Sequence, residues 1–375
     1  MAGRAPVPDT DHSDMSEQQR LQAIRNHIDT LDQQIQELIS ERARCAQQIA
    51  AIKQAGGQGN HFYRPEREAQ ILRRVVERNR GPLSNEAIGR LFREIMSICL
   101  ALQEPLRVAF LGPEGTFTQA AVFKHFGQAV RAIPLRAIDE VFREVEAGTA
   151  NYGIVPVENS TEGVVNHTLD MFLRSPLNIC GEVQLRIHHH LISRAGGLDA
   201  IRRVYSHQQS LAQCREWLNL NLPGVEQIAV SSNGEAVRRV RGEAEGAAIA
   251  GQCAADIYGL PVLAANIEDE PNNTTRFLII GTQSVPPSGH DKTTLLVSSH
   301  NRPGMLFRLL EPIARHGVSM TRIESRPSGR GMWDYVFFID MEGHAQDESV
   351  AGVLAELEKE ASLFRVLGAY PAGVL

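Results

Sequence analysis

The sequence predicts a multidomain chain: an all-α unit, then an α/β unit, then an α+β unit. Residues 16–104 repeat apolar side chains at helical spacing with no strand-like run. From 105 to 283, short apolar runs alternate with helical stretches, the pattern of a mostly parallel sheet covered by helices. The stretch 292–375 reads βαββαβ, an antiparallel sheet with helices on one face. A chain of 375 residues is too long for a single core, so a division into units is expected. Residues 1–15 hold Pro, Asp and Ser without an apolar segment and are expected to be disordered. Val285-Pro286-Pro287-Ser288-Gly289 marks 284–291 as a linker.

In the helical unit, Ser16 and Gln19 read as a capping box. Apolar side chains follow at Leu21, Ile24, Ile28, Leu31, Ile35, Leu38, Cys45, Ile49 and Ile52, with Arg42 in the place of one missing member. An uncompensated charge on a packed seam costs several kcal/mol, so something anionic, a salt-bridging carboxylate or a ligand, has to meet Arg42. Nothing breaks the helix before Gly56-Gly57, which gives about 37 residues and roughly 55 Å. A helix that long predicts an interlocked dimer. Lys53 lies nearly on the face of Arg42, three turns on, and Arg25 sits just off the seam. After a turn at 56–60, Pro65 opens a second helix with Ile71, Leu72, Val75 and Val76 inward. Ser84 opens a third with Ile88, Leu91, Phe92, Ile95, Cys99 and Leu102 on one face, followed by Gln103.

The charge balance narrows the partners. With 38 basic and 44 acidic side chains, net −6, a nucleic acid or an anionic membrane is disfavoured as the main partner and small molecules are favoured. The cysteines at 45, 99, 180, 214 and 253 have no metal-ligand spacing, so neither a disulfide framework nor a metal site is expected, and a reducing compartment is. No run approaches a membrane span, which predicts a cytoplasmic protein. The turn at 112–118 is Gly-rich but has neither a Walker nor a dinucleotide fingerprint, and no cofactor is expected.

Within 105–283, four strand-to-helix turns present backbone N–H groups and hydroxyls at helix starts: 112–118, 156–163, 206–210 and 251–252. Each is explained by capping alone; as a set they suit a small polyanionic acid. His188-His189-His190 cannot converge on a metal if it is strand, because neighbouring side chains alternate. Residues 267–280 change from acidic, amide and hydroxyl side chains to an apolar run, so Thr275 and Arg276 stand at the mouth of a buried strand. Thr275 offers a hydroxyl and Arg276 a planar cation suited to a carboxylate.

These residues carry three resemblances. Arg25 in its Ile-Arg-x-x-Ile-x-x-Leu-Asp frame, Arg42, Lys53, Arg67-Glu68 and Gln103 resemble the active-site set of the all-helical chorismate mutases. The resemblance implies that Arg25, from a dimer partner, and Arg42 hold the carboxylates of chorismate. Lys53 and Gln103 would serve the ether oxygen, and Glu68 and Arg67 the ring hydroxyl. Arg64 stands where an acid can occur and Cys99 where a hydroxyl can occur. Gly-Pro-Glu-Gly-Thr-Phe-Thr-Gln-Ala-Ala from 112, Pro-Val-Glu-Asn-Ser-Thr-Glu-Gly from 156, Ser206-His207, Gln213-Cys214 and Asn273-Thr274-Thr275-Arg276-Phe277 resemble prephenate dehydratase. That implies an α/β fold of two lobes like a periplasmic binding protein, with Thr275 catalytic in making phenylpyruvate from prephenate. Thr116, Glu158, Asn159, Ser160, Thr161, Ser206, Gln213, Arg276 and Phe277 would line or support the site, with the proton's source left open. Gln208-Gln209-Ser210 departs from the family's Pro-Gln-Ala.

The last unit resembles the ACT domain of dehydratases through Gly304-Met305-Leu306 and Glu324-Ser325-Arg326-Pro327. That implies a phenylalanine site there, with Asn301 at the helix start, and feedback inhibition; a purely structural pairing module is the alternative. Met305 replaces a smaller residue. The whole chain then resembles the fused chorismate mutase and prephenate dehydratase family, acting as a homodimer or homotetramer. A non-catalytic sensor of aromatic acids is the competing expectation, as is a dehydratase with a weakened mutase.

Overall fold

The structure, a computed structural model, describes residues 16–55, 63–299, 302–327 and 335–373. The N-terminal 1–15, the turn at 56–60 and Asn301 lie outside them. Two compact units are present, divided after Asn60.

The first unit is α1 (Glu17–Ala55), 39 residues without a break. Its start is the expected capping box: Ser16 N–H donates to Gln19 Oε1 at 3.0 Å and Gln19 N–H to Ser16 Oγ at 3.4 Å. In the single chain the seam from Leu21 to Leu38, with Ile49 and Ile52, is exposed.

The second unit opens with α2 (Pro65–Arg78) and α3 (Asn85–Ala101), the latter capped by Ser84 Oγ on Ala87 N–H. Leu72 is buried on α2, as expected. On α3 the packed face is only partly the expected one: Cys99 is buried as expected, but Arg93, Met96 and Ser97 turn inward beside it, while Leu91 and Leu102 are exposed. The cause is polar docking. Glu94 and Ser97 accept the backbone N–H groups of Gln128 and Ala129, which turns this side of α3 to the protein and leaves the leucine side outward.

The α/β region forms two sheets, each mixed, where the alternation predicts a mostly parallel one. The first lobe contains β1 (Arg107–Leu111), α4 (Phe117–Phe126), β2 (Arg131–Leu135), α5 (Ile138–Glu146), β3 (Tyr152–Asn159), β4 (Gly163–Val164), α6 (Asn166–Phe172) and β5 (Asn178–Arg186). The second contains β6 (His190–Ile192), β7 (Arg203–His207), α7 (Gln208–Gln213), α8 (Arg215–Asn221), β8 (Glu226–Val230), α9 (Asn233–Val240), β9 (Gly246–Ala250), α10 (Gln252–Tyr258) and β10 (Val262–Ala264). The chain then returns as β11 (Thr274–Gly281) into the first sheet, between β3 and β5. Because it enters from the far side, β11 runs antiparallel to both neighbours, while β1 stays parallel to β2 and β3. The second sheet has the order β10-β6-β9-β7-β8.

The last region consists of β12 (Asp291–Ser298), α11 (Met305–Arg315), β13 (Met320–Pro327), β14 (Tyr335–Glu342), α12 (Glu348–Glu360) and β15 (Leu363–Pro371), the expected βαββαβ order. Its sheet, β13-β14-β12-β15, is wholly antiparallel. One face packs on α11 and α12 through Leu295, Val297, Leu309, Ile313, Val353 and Leu357. The other joins the core of the first lobe, where Leu296, Val336, Phe338 and Leu367 share a cluster with Leu278 and Ile280. Gly368 permits the contact, since a Cβ there would lie 2.2 Å from the Ile179 carbonyl. The linker by composition is pinned: Arg73 donates to Ser288 O at 2.9 Å and Ser288 Oγ at 2.8 Å, and Ser288 Oγ to Asp291 at 2.6 Å.

Candidate active site

Thr275 is the second residue of β11, 9% exposed, beside the Asn273–Gln213 contact between the two lobes. Its partner across the ladder is Asn159 at the end of β3, and Asn159 Nδ2 donates to Thr275 Oγ1 at 2.8 Å and to Asn273 Oδ1 at 2.7 Å. The amide orientation follows from its other end. Asn159 Oδ1 accepts the N–H groups of Thr161 and Glu162, each at 2.9 Å, so the NH2 group has to face Thr275. The Thr275 oxygen is thus an acceptor toward Asn159, and its own proton is left for whatever occupies the junction.

The chain of amides continues into the second lobe. Asn273 Nδ2 donates to Gln213 Oε1 at 3.1 Å, and His189 Nε2 meets the same oxygen at 2.8 Å. Since that oxygen only accepts, His189 carries its proton on Nε2. Burial lowers the pKa of His189, with the Gln213 hydrogen bond opposing, so the ring is neutral. Its Nδ1 has no hydrogen-bond partner among the described residues, and Phe117 packs edge-on against it at 5.3 Å. Glu162, from the first lobe, accepts from Gln213 Nε2 at 3.2 Å and Gln209 Nε2 at 3.4 Å, bridging to α7.

The two segments that cross between the lobes are tied to each other as well. Glu268 accepts the His189 N–H at 2.8 Å and contacts His188 Nδ1 at 2.7 Å. Burial works against its charge, and those hydrogen bonds outweigh it and lower its pKa. His190 Nδ1 accepts from Asn266 N–H at 3.1 Å, so each of the three imidazole rings has a different partner. Only His190 is strand; His188 and His189 precede it. At the Gly-rich turn, Gly234 on α9 lets the loop before α4 dock on the second lobe: a Cβ would sit 2.1 Å from Glu114 O.

The sequence-predicted residues divide. Thr275, Asn159 and Gln213 come together with Asn273. Ser160 supports them, its Oγ taking the Thr274 N–H at 2.9 Å, and Thr161 contributes its N–H to Asn159. Phe277 is buried in the first-lobe core. Thr116 caps α4, accepting from Gln119 N–H at 3.4 Å. Ser206 is fully buried, its hydroxyl donating to Ile249 O at 2.7 Å with Asn233 Oδ1 at 3.1 Å beside it, so it supports the second lobe and is closed to a ligand. Arg276 and Glu158 face away from Thr275. Arg276 is held by Glu182 at 2.8 Å, Asp340 at 2.5 Å and Tyr370 at 3.1 Å, and Glu158 by Arg322 at 3.0 Å. A carboxylate site at Arg276 is therefore corrected: each of its three guanidinium nitrogens already has a partner on the side away from Thr275. Asn233 was not singled out by sequence, His189 entered only as part of a triplet read as strand, and Glu268 only as part of the acidic start of 267–280. Ser232-Asn233-Gly234 at a strand-to-helix turn was the available signal for the first.

For the helical unit, Arg25, Arg42 and Lys53 lie on α1, Arg67 and Glu68 in the first turn of α2, Cys99 on the buried side of α3 and Gln103 just beyond it. Arg64 precedes α2 and is paired with the buried Glu66 at 2.6 Å. In the last region Gly304, in the left-handed conformation at φ 76°, precedes Met305 and Leu306 at the start of α11. Glu324, Ser325 and Pro327 lie on the edge strand β13. Arg326 forms a two-pronged pair with Asp170 of α6 at 2.7 and 2.9 Å, so it is turned to the first lobe. Among the described residues no group of His, Cys, Asp and Glu is placed to hold a metal, and no helix is long and apolar enough to cross a membrane.

A two-lobed α/β unit with a hydroxyl and amides at its junction, backed by an antiparallel regulatory-type sheet and preceded by cationic helices, defines a multidomain enzyme acting on small acids. The family model for chorismate mutase type II matches residues 24–104, that for prephenate dehydratase 108–285 and that for the ACT domain 293–359. A bifunctional chorismate mutase/prephenate dehydratase of Stutzerimonas stutzeri is 59% identical over 365 residues, 96% of this chain and all of that protein. The crystal structure of a prephenate dehydratase in complex with L-Phe, from Arthrobacter aurescens, is 37% identical with a TM-score of 0.66, covering 71% of this chain and 90% of that one. A protein described as a quorum quenching acylase reaches the same TM-score at 31% identity, over 71% of this chain and 98% of its own, so the fold alone does not select the reaction. The chain belongs to the family of bifunctional chorismate mutase/prephenate dehydratases.

Proposed function

We propose that the chain rearranges chorismate to prephenate on its helical unit, converts prephenate to phenylpyruvate at Thr275, and is inhibited by phenylalanine bound to its ACT domain. Family membership supports both activities, and the Asn159–Thr275 hydrogen bond carries the assignment of the dehydratase site. In that step the bond between the ring and its carboxylate breaks. The electron pair enters the ring, CO2 departs, and the ring C–O bond breaks with the electrons going to oxygen. Thr275, relieved of any need to donate to Asn159, hydrogen-bonds through its own O–H to that oxygen, which leaves as hydroxide and becomes water with a proton taken from solvent, so that Thr275 keeps its hydrogen. Aromatisation supplies the driving force, so the site has only to stabilise the departing oxygen and keep the acid in place. The amide chain from Asn159 to Gln213 holds Thr275 and spans both lobes.

For the rearrangement, Arg25 and Arg42 hold the two carboxylates, Lys53 and Gln103 donate to the breaking ether, and Arg67 and Glu68 orient the ring hydroxyl. Arg64 and Cys99 border the same substrate. No proton transfer is required, so positioning and charge do the work. Phenylalanine is taken near Gly304, Met305, Leu306, Glu324, Ser325 and Pro327, with Arg326 acting from the side of the first lobe and Asn301 lying next to the site in sequence. The exposed seam of α1 supports a homodimer or homotetramer. The domain limits in this reading are 16–104, 105–283 and 292–375, and the location is cytoplasmic, where a biosynthetic enzyme like its relatives would act.

The test is phenylpyruvate formation from chorismate by the purified chain, with and without phenylalanine. Thr275→Ala should accumulate prephenate with dehydration down by about 10²–10³-fold, and Arg42→Ala should stop chorismate consumption. A Thr275→Ala variant that dehydrates normally sinks the site, and an active Arg42→Ala variant sinks the mutase assignment.

A further inference from the structure

The residues next to the two that make the Thr275–Asn159 hydrogen bond are both charged, and both are gripped from behind. On β11 and β3, Thr275 pairs with Asn159 and Arg276 with Glu158, each directly across the ladder. Side chains alternate along a strand, so the first pair faces the lobe junction and the second faces the ACT sheet. Arg276 reaches Asp340 on β14 at 2.5 Å and Tyr370 on β15 at 3.1 Å, and Glu182 on β5 takes its Nε at 2.8 Å. Thr294 Oγ1 donates to Asp340 at 2.7 Å, and Lys292 pairs with Glu182 at 2.7 Å, so the guanidinium is enclosed by a closed set of partners. Burial opposes its charge, and Tyr370, Asp340 and Glu182 outweigh burial and raise its pKa. Glu158 is held by Arg322 of β13 at 3.0 Å. Arg322 is mostly buried, and its Nη2 has no hydrogen-bond partner among the described residues, which leaves it a donor to spare if β13 shifts.

Two features make these contacts suited to transmission as well as to support. The register of β11 against β3 shifts between Arg276 and Phe277, so the ladder to β3 is interrupted beside the residue that bears the load, while the ladder to β5 stays regular there. Arg322 lies two residues before Glu324, on the strand that carries the proposed effector motif. We propose that the Arg276–Asp340 and Glu158–Arg322 ion pairs couple the ACT sheet to the dehydratase site. A movement of β13 and β14 draws on Arg276 and Glu158 and so makes or breaks the Thr275–Asn159 hydrogen bond on the opposite face. This rests on the assignment of dehydration to Thr275 and of phenylalanine binding to the ACT domain. Arg276 is a positioning residue in this scheme. The effector shifts the balance between two arrangements by binding one of them better.

The experiment compares the full chain with Arg322→Gln and Asp340→Asn. Phenylalanine binding is measured by calorimetry, prephenate dehydration is followed for kcat and KM separately, and thermal unfolding reports folding. Coupling predicts that phenylalanine still binds, with Kd within about threefold of the parent, while the concentration for half-inhibition rises by about fivefold or more. It also predicts that kcat for dehydration changes more than KM. If Asp340→Asn fails to fold, Tyr370→Phe removes one contact to Arg276 and has the same expected direction. Unchanged inhibition in the folded variants overturns the proposal, and so does loss of inhibition in step with loss of binding, which a merely structural role produces. A parent chain that forms no phenylpyruvate from prephenate overturns the underlying assignment, and the coupling with it.

Discussion

Replacing Asn159 by aspartate reverses the polarity of one hydrogen bond while keeping the shape of the side chain. In the parent protein the NH2 group supplies donors to Thr275 at 2.8 Å and Asn273 at 2.7 Å. The introduced carboxylate has none, so Thr275 turns its own proton inward and no longer offers it to the departing oxygen. Removing one preorganised donor from a developing charge costs about 10²–10³ in kcat, and that is the loss expected for dehydration, with KM little affected. Stability should change by no more than about 1–2 kcal/mol, because the N–H groups of Thr161 and Glu162, each at 2.9 Å, bond a carboxylate oxygen at least as well. Those two donors also favour the ionised form and hold its pKa low. Below that pKa the carboxyl carries a proton, can donate to Thr275 again, and dehydration relative to the parent should rise as pH falls. The assay is phenylpyruvate release from prephenate across pH, beside thermal unfolding. A kcat within about threefold of the parent at neutral pH, or a loss with no recovery toward acid, refutes the role assigned to Asn159.

Arg276→Met leaves Glu182 and Asp340 buried with one cation fewer, so unfolding free energy should fall by about 3–5 kcal/mol in denaturant titrations. Gly234→Ala puts a methyl group against the Glu114 carbonyl and should cut dehydration steeply while chorismate consumption continues, a difference two separate rate assays resolve. Glu268 has a depressed pKa in the folded protein, so its contribution is present above the unfolded value of about 4.3 and is lost as pH falls through the folded value. Glu268→Gln should therefore flatten the loss of stability on acidification below about pH 5, as read by melting temperature against pH.

Local patterns made much of this fold legible. The capping box at Ser16, the unbroken run of α1 and the change from polar to apolar side chains ahead of Phe277 each depend on residues a few positions apart, and the structure has all three. What alternation could not tell was which strands pair. β11 belongs to the first sheet because the chain crosses back, and no spacing records that return. The same limit hid the fate of Arg276, whose partners Asp340 and Tyr370 are 64 and 94 residues away and whose exposed-looking position beside Thr275 gave no sign of them. Ser206 misled for a similar reason. A hydroxyl at a strand end reads as a ligand contact until the Ile249 carbonyl is seen to take it. On α3 the leucines pointed to the wrong packed side because Glu94 and Ser97 bind backbone groups that no hydrophobic pattern includes.

The shared core of Leu278, Ile280, Leu296, Val336, Phe338 and Leu367 has a consequence for how the protein is made. The strands that cover the rear of the catalytic sheet leave the ribosome after the sheet they cover, and β15 lies against β5 through the close approach at Gly368. A nascent chain arrested after β11 has Thr275 but keeps the back of its sheet wet and Arg276 without Asp340 or Tyr370. Completion of the active sheet and arrival of the effector domain are then a single event in biosynthesis. A polypeptide cut short by a premature stop is left unfinished, so it does not become an uninhibited enzyme.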